Sequence, residues 1–166
     1  MGSGRIGRIA GALMAAASMA GTPAAAQVVR SGAPASPIAS SVRVPAGATI
    51  LYVSGMLADP LDPAKPDGDH GDTEAQTRSV LKKLGAELAR NGMGPGDVVM
   101  MRVYLVAPPG RAAMDFAGLM KAYKEAYGTP TQPARPARIT MQVAALAAPW
   151  ALVEIEVQAA KAEARR

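Results

Sequence analysis

Two hydrophobic periods lie side by side in the middle of this sequence, and together they call for a helix laid on a sheet. Val80, Leu81, Leu84 and Leu88 recur at intervals of three and four, with Lys82, Lys83, Glu87 and Arg90 among them. That is the pattern of a helix with one apolar face. Asn91 and Gly92 stop it. Residues 98–106 follow, with Met101, Val103 and Leu105 on alternate positions, the period of a strand with one buried face. The strand reads as an interior one. Thr73-x-x-Gln76 precedes the helical stripe and reads as a capping box, which predicts a helix start at Thr73.

The flanking segments extend the alternation. Residues 41–44 suggest a short strand, and residues 49–54 a second one that ends at Gly55. A second helix is expected from about residue 113 to 127, with Phe116, Leu119, Met120, Tyr123 and Tyr127 along one side. Such a stripe of methionine and aromatics is read as core rather than as a cofactor box. Pro130, Pro133 and Pro136 stiffen the next connection. Residues 139–146 and 152–157 read as two further strands. The resulting order, β-β-α-β-α-β-β, predicts an α+β domain with two helices on one face of a mixed sheet. The other sheet face is expected to be apolar and exposed in a monomer, so assembly is the natural way to cover it.

The ends and loops carry their own signals. Arg5 and Arg8 precede a stretch of uncharged, small and apolar residues that runs to Ala24-Ala25-Ala26. This predicts a secretory signal over residues 1–26, with cleavage before Gln27 and an exported product, periplasmic or secreted, that leaves the membrane with its leader removed. Residues 27–40, rich in Ser, Ala and Pro, read as an extended arm, residues 41–160 as the domain, and residues 161–166 as a charged tail. The loop 59–72 holds five aspartates, but it lacks the glycine placement and the distal glutamate of a calcium-binding EF loop, and reads as solvated.

Composition narrows the chemistry. The chain has no cysteine and one histidine, His70. A thiolate nucleophile and a Cys- or His-based metal cluster are excluded, and a Ser-His triad is disfavoured. The formal charge is +5, of which Arg5 and Arg8 in the leader supply two. The remaining basic residues do not cluster on one face with stacking aromatics, so a nucleic-acid partner is not expected.

Four segments, in order, resemble the RidA (YjgF-like) family. They are Leu51-Tyr-Val-Ser-Gly-Met56; Thr73-Glu-Ala-Gln-Thr-Arg-Ser-Val-Leu-Lys-Lys-Leu84 with Gly96-Asp-Val-Val99; Tyr123-Lys-Glu-Ala-Tyr127; and Pro136-Ala-Arg-Ile-Thr-Met-Gln-Val-Ala-Ala-Leu146 with Val153-Glu-Ile-Glu-Val-Gln-Ala159. The resemblance implies a chorismate-mutase-like mixed sheet, a homotrimer with a barrel-like core, and ligand clefts between subunits. It implies hydrolysis of reactive 2-imino or enamine acids to 2-keto acids and ammonia, without metal or organic cofactor. It places the carboxylate-binding arginine at Arg138, the water-positioning glutamate at Glu154, and substrate-binding positions at Ser54, Gly55 and Thr140. The partner is then a small carboxylate-bearing molecule.

These residue types suit that chemistry. A planar guanidinium grips a carboxylate through two hydrogen bonds. An imine carbon is already electrophilic, so a carboxylate that orients a water and relays its proton completes the set. Arg135 competes with Arg138, and Glu156 shares a strand face with Glu154. The sequence also departs from the deaminase members. Ser40 stands where they carry a tyrosine, and Met120 where they carry an asparagine. A non-catalytic, small-molecule-binding or protective trimer using the same cleft is therefore the second reading.

Overall fold

A computed structural model of the chain describes Met1 and residues 27–162; the leader, apart from Met1, and the tail beyond 162 lie outside the described residues. The elements run β1 (Val29–Ser31), β2 (Ser41–Arg43), β3 (Thr49–Met56), α1 (Thr73–Arg90), a 3-10 turn (Pro95–Asp97), β4 (Val98–Leu105), α2 (Phe116–Ala126), β5 (Ala137–Gln142) and β6 (Val153–Lys161). β3, β6, β4 and β5 form one sheet in that order. β4 and β5 are parallel, with α2 in the crossover between them, while β6 is antiparallel to both its neighbours. The expected mixed sheet with two helices is the observed one.

The core lies between this sheet and the helices. Val53, Met101, Val103, Leu105, Val153, Ile155 and Val157 of the strands meet Val80, Leu84, Leu88, Leu119 and Tyr123 of the helices. Each such aliphatic side chain, fully buried, contributes about 1.5–3 kcal/mol. The alternate residues of β4 and β6 point the other way. That face was expected to be apolar, and it is mixed instead. Arg102 and Glu156 stand opposite each other in register and are joined at 2.8 Å. Ile50, Tyr52 and Ile139 are exposed on the flanks, Tyr52 by 73%.

Local differences from the sequence reading have physical causes. The cap of α1 is Asp72, whose Oδ1 accepts the Ala75 N–H at 2.8 Å. Gln76 is drawn away from any capping box because it ties two loops together: Nε2 donates to the carbonyls of Gly71 and Trp150, and Oε1 accepts the Leu152 N–H. The arm is not wholly extended coil, since β1 pairs antiparallel with β2. α2 starts at Phe116 rather than near residue 113, because Asp115 caps it through the Gly118 N–H. β5 begins at Ala137 and stops at Gln142, where its partner β4 also stops. β6 runs on to Lys161 because β3 continues to pair with it.

Candidate functional site

Arg138 lies on β5, opposite Met101 of β4. Residues in register share a sheet face, so its side chain points toward the helices with Met101 and Val103. There it meets α2. Its Cζ is 4.2 Å from the centre of the Tyr123 ring and 5.9 Å from that of Phe116. Nη2 donates to Met120 Sδ at 3.2 Å, and a thioether is a weak acceptor. Among the described residues, Nε and Nη1 are buried without a hydrogen-bond partner, as is Oγ1 of Thr140, two residues along the same strand face. Burial holds the guanidinium pKa below its usual value, against a smaller opposing pull from Tyr123. A desolvated cation with unpaired N–H groups gains most from an anionic partner.

Arg135, the competing candidate, is committed elsewhere. Its Nη1 donates to the carbonyls of Pro34 and Ser36, which pins the arm. The arm then passes the start of β5, where the Ala39 N–H donates to the Pro136 carbonyl at 3.0 Å. Ser40, matched to the family's arm tyrosine, is therefore beside the start of the arginine strand, but it is exposed.

Glu154, Ser54 and Gly55 form a second group. Glu154 stands opposite Tyr104, on the face away from the helices. The β3–β6 register shifts between Val53 and Met56, so Ser54 and Gly55 occupy a bulge, a device that re-aims side chains near sites. Gly55 lies under the Glu154 side chain: a Cβ there would come within 2.8 Å of Glu154 Cδ. Glu156 is spent on Arg102, whereas Glu154 forms no side-chain hydrogen bond or ion pair among the described residues.

The fold thus brings Gly55 and Glu154 together, sets Ser54 beside Tyr52, Arg102 and Glu156, and places Arg138 and Thr140 separately on the other face of the sheet. Ser54 and Gly55 on β3 and Arg138 on β5 also lie on the two outer strands, while Glu154 is on the inner strand β6. Within one chain Arg138 and Glu154 do not form a single site. Sequence reasoning missed Phe116 and Tyr123 as neighbours of Arg138. Both were assigned to a core stripe, and the signal that separates them is the distance from the helix start: Leu119, Tyr123 and Tyr127 are buried, whereas Phe116 is 43% exposed.

A mixed sheet with two helices matches the RidA/YjgF fold of small α+β proteins. The family described as Endoribonuclease L-PSP matches residues 31–161, and the chain belongs to this family, also called YjgF/RidA. The curated protein DfrA of Myxococcus xanthus is 36% identical over 110 residues, 66% of this chain and 75% of that protein. A crystal structure of the Rid protein YyfB from Yersinia pestis superposes with a TM-score of 0.59 at 28% identity, covering 74% of this chain and 86% of that one. RidA from a Psychrobacter species superposes at 0.53 with 28% identity, covering 78% and 93%. E. coli TdcF, solved with bound serine, does so at 0.54 with 27% identity, covering 71% and 84%. Membership supports an imine-deaminase-type or small-molecule-binding role in general.

Proposed function

We propose that the protein binds a small 2-imino or enamine carboxylate at Arg138 and hydrolyses it to the keto acid and ammonia. The observation that carries this reading is the buried Arg138 guanidinium with Nε and Nη1 unpartnered. In the proposed reaction the guanidinium holds the carboxylate. Glu154 orients a water and takes its proton as the oxygen bonds to the imine carbon. That proton passes to the imine nitrogen, whose C=N π bond opens, to give the carbinolamine. The carbinolamine hydroxyl then gives up its proton through Glu154 to the amine nitrogen as the C–N bond breaks, which releases ammonia and leaves the C=O of the keto acid. The serine bound to TdcF is a ligand of the same kind, small and carboxylate-bearing. The family description names an endoribonuclease, but Arg138 is enclosed by Phe116, Met120 and Tyr123 rather than set in a basic groove that tracks a phosphate backbone.

The opposite placement of Arg138 and Glu154 supports a complete site that lies between copies. Arg138 on outer strand β5 of one copy would meet Ser54, Gly55 and Glu154 on outer strand β3 and its neighbour β6 of the next. A contact between two different edges is heterologous and gives a ring when its rotation closes, and the homotrimer implied by the family resemblance is such a ring. Exposed Ile50, Tyr52 and Ile139 would be covered in it. Light scattering should give three chains per particle. The leader motif supports an exported mature protein that starts at Gln27, which N-terminal sequencing tests.

The deciding experiment is keto-acid release from imines generated in situ by an amino-acid oxidase. Wild type should accelerate release and Arg138→Ala should not; equal rates for the two would overturn the assignment. The second reading, a binder without turnover, is favoured by one contact: Met120, in place of a polar residue, presents only a thioether to Arg138. In that case wild type binds keto acids but leaves imine hydrolysis at its uncatalysed rate.

A further inference from the structure

From the walls around Arg138 we infer that its ligand carries an aromatic or branched apolar side chain, selected by Phe116 and Met120. This rests on the reading of Arg138 as a carboxylate clamp. Phe116, Met120 and Tyr123 are spaced three and four apart on α2 and lie along one helix face. Each approaches the guanidinium, as a ring at 5.9 Å, a sulfur at 3.2 Å and a ring at 4.2 Å respectively. Two of them are occupied by the protein itself. Tyr123 is buried in the core, and Met120 already touches Nη2. Phe116 is different, because its side chain is 43% exposed in the first turn of a helix whose Leu119 and Tyr123 are buried.

One exposed phenylalanine needs no explanation alone. Beside a guanidinium whose Nε and Nη1 are buried and unpaired, it supplies the second half of a site for an amphipathic ligand. The carboxylate takes the N–H groups, and the apolar group covers the ring. Polar alternatives fit less well. The one hydroxyl of the α2 wall, that of Tyr123, is already donated to the Pro37 carbonyl, and Thr140 gives a single hydroxyl from the strand side. A second carboxylate on the ligand would be set against the Phe116 ring and the Met120 thioether, which offer it no hydrogen-bond donor. Methionine adds a polarisable, flexible surface that adapts to different apolar shapes. The substrate class is thus the imino or keto acid of an aromatic or branched amino acid, rather than of a short, hydroxylated or acidic one.

The test is titration calorimetry on the full chain with pyruvate, oxaloacetate and phenylpyruvate as probes, for wild type, Phe116→Ser, Phe116→Leu and Arg138→Ala. Phenylpyruvate should bind about tenfold tighter than pyruvate, the discrimination that a few apolar atoms in a pocket provide, and oxaloacetate should bind weakest. Phe116→Ser should bring the phenylpyruvate-to-pyruvate ratio toward one, and Phe116→Leu should retain part of it; thermal melting checks that both fold. Equal affinities in wild type, or a ratio that Phe116→Ser leaves intact, would overturn the inference while Arg138→Ala still loses all three probes. If instead Arg138→Ala binds like wild type, or wild type binds none of the probes, the clamp reading fails and this one with it.

Discussion

The Tyr123 ring lies under Arg138, its centre 4.2 Å from the guanidinium carbon. The same tyrosine donates its hydroxyl to the Pro37 carbonyl at 3.0 Å. One side chain therefore joins the arm to the cation. The tyrosine is buried, and burial raises its pKa to about 12, with Arg138 and Arg135 pulling it down by less.

This pKa sets a pH dependence. The unfolded tyrosine ionises near pH 10, so between about pH 10 and 12 the unfolded chain releases a proton that the folded chain keeps. Stability should be unaffected below pH 10 and fall through that window, with about 2–3 kcal/mol of the fall due to Tyr123. Urea unfolding at stepped pH measures it. Tyr123→Phe should remove part of the fall. Tyr127, whose pKa burial also raises, accounts for the remainder. An unchanged slope in the variant would contradict the assignment.

Arg138→Met should separate stability from function. An unpaired buried charge destabilises the fold, and an apolar side chain of similar length at its place often stabilises by 1 kcal/mol or more, to order of magnitude. The variant should unfold at higher urea than wild type and bind no keto acid. Lower stability would mean that the guanidinium has a structural partner in the assembly.

Gly55→Ala tests the packing of Glu154. The new methyl would run into the Glu154 side chain, whose carboxylate end is free to swing away. The fold should lose no more than about 1 kcal/mol, because the obstacle is flexible. Turnover in the imine assay should nevertheless drop about tenfold or more, since small displacements of a positioned group are costly in rate. Normal turnover would remove Glu154 from the mechanism.

His70 stacks on Trp150 with ring centres 3.4 Å apart and planes 3° from parallel. Trp150 is the one tryptophan in the chain, so its fluorescence reports on this contact alone. The stack joins the end of the aspartate-rich loop to the connection before β6, next to the bonds that Gln76 makes. His70→Ala should shift the emission to longer wavelength and lower stability by about 1–3 kcal/mol through loss of a buried ring. An unshifted spectrum would show that the stack does not persist in solution.

Much of this protein follows from local pattern. The spacing of Val80, Leu84 and Leu88 makes α1 and names its buried face. The alternation of Met101, Val103 and Leu105 makes β4 and places it inside the sheet. Pro136-Ala-Arg138 and Glu154-Ile-Glu156 mark the family, and the period of two shows that Glu154 and Glu156 share a face. Period alone does not relate the faces of two strands. That relation is a matter of register, set by hydrogen bonds between segments far apart in the chain. Only the pairing of Met101 with Arg138 and of Tyr104 with Glu154 put the arginine on the helix side and the glutamate on the other. The same holds for the α2 stripe. Its helical period is written in the sequence, but whether Phe116 is core or site wall depends on how far the helix overlaps the sheet, and packing decided that by burying Leu119 and Tyr123 and leaving the first turn open beside Arg138.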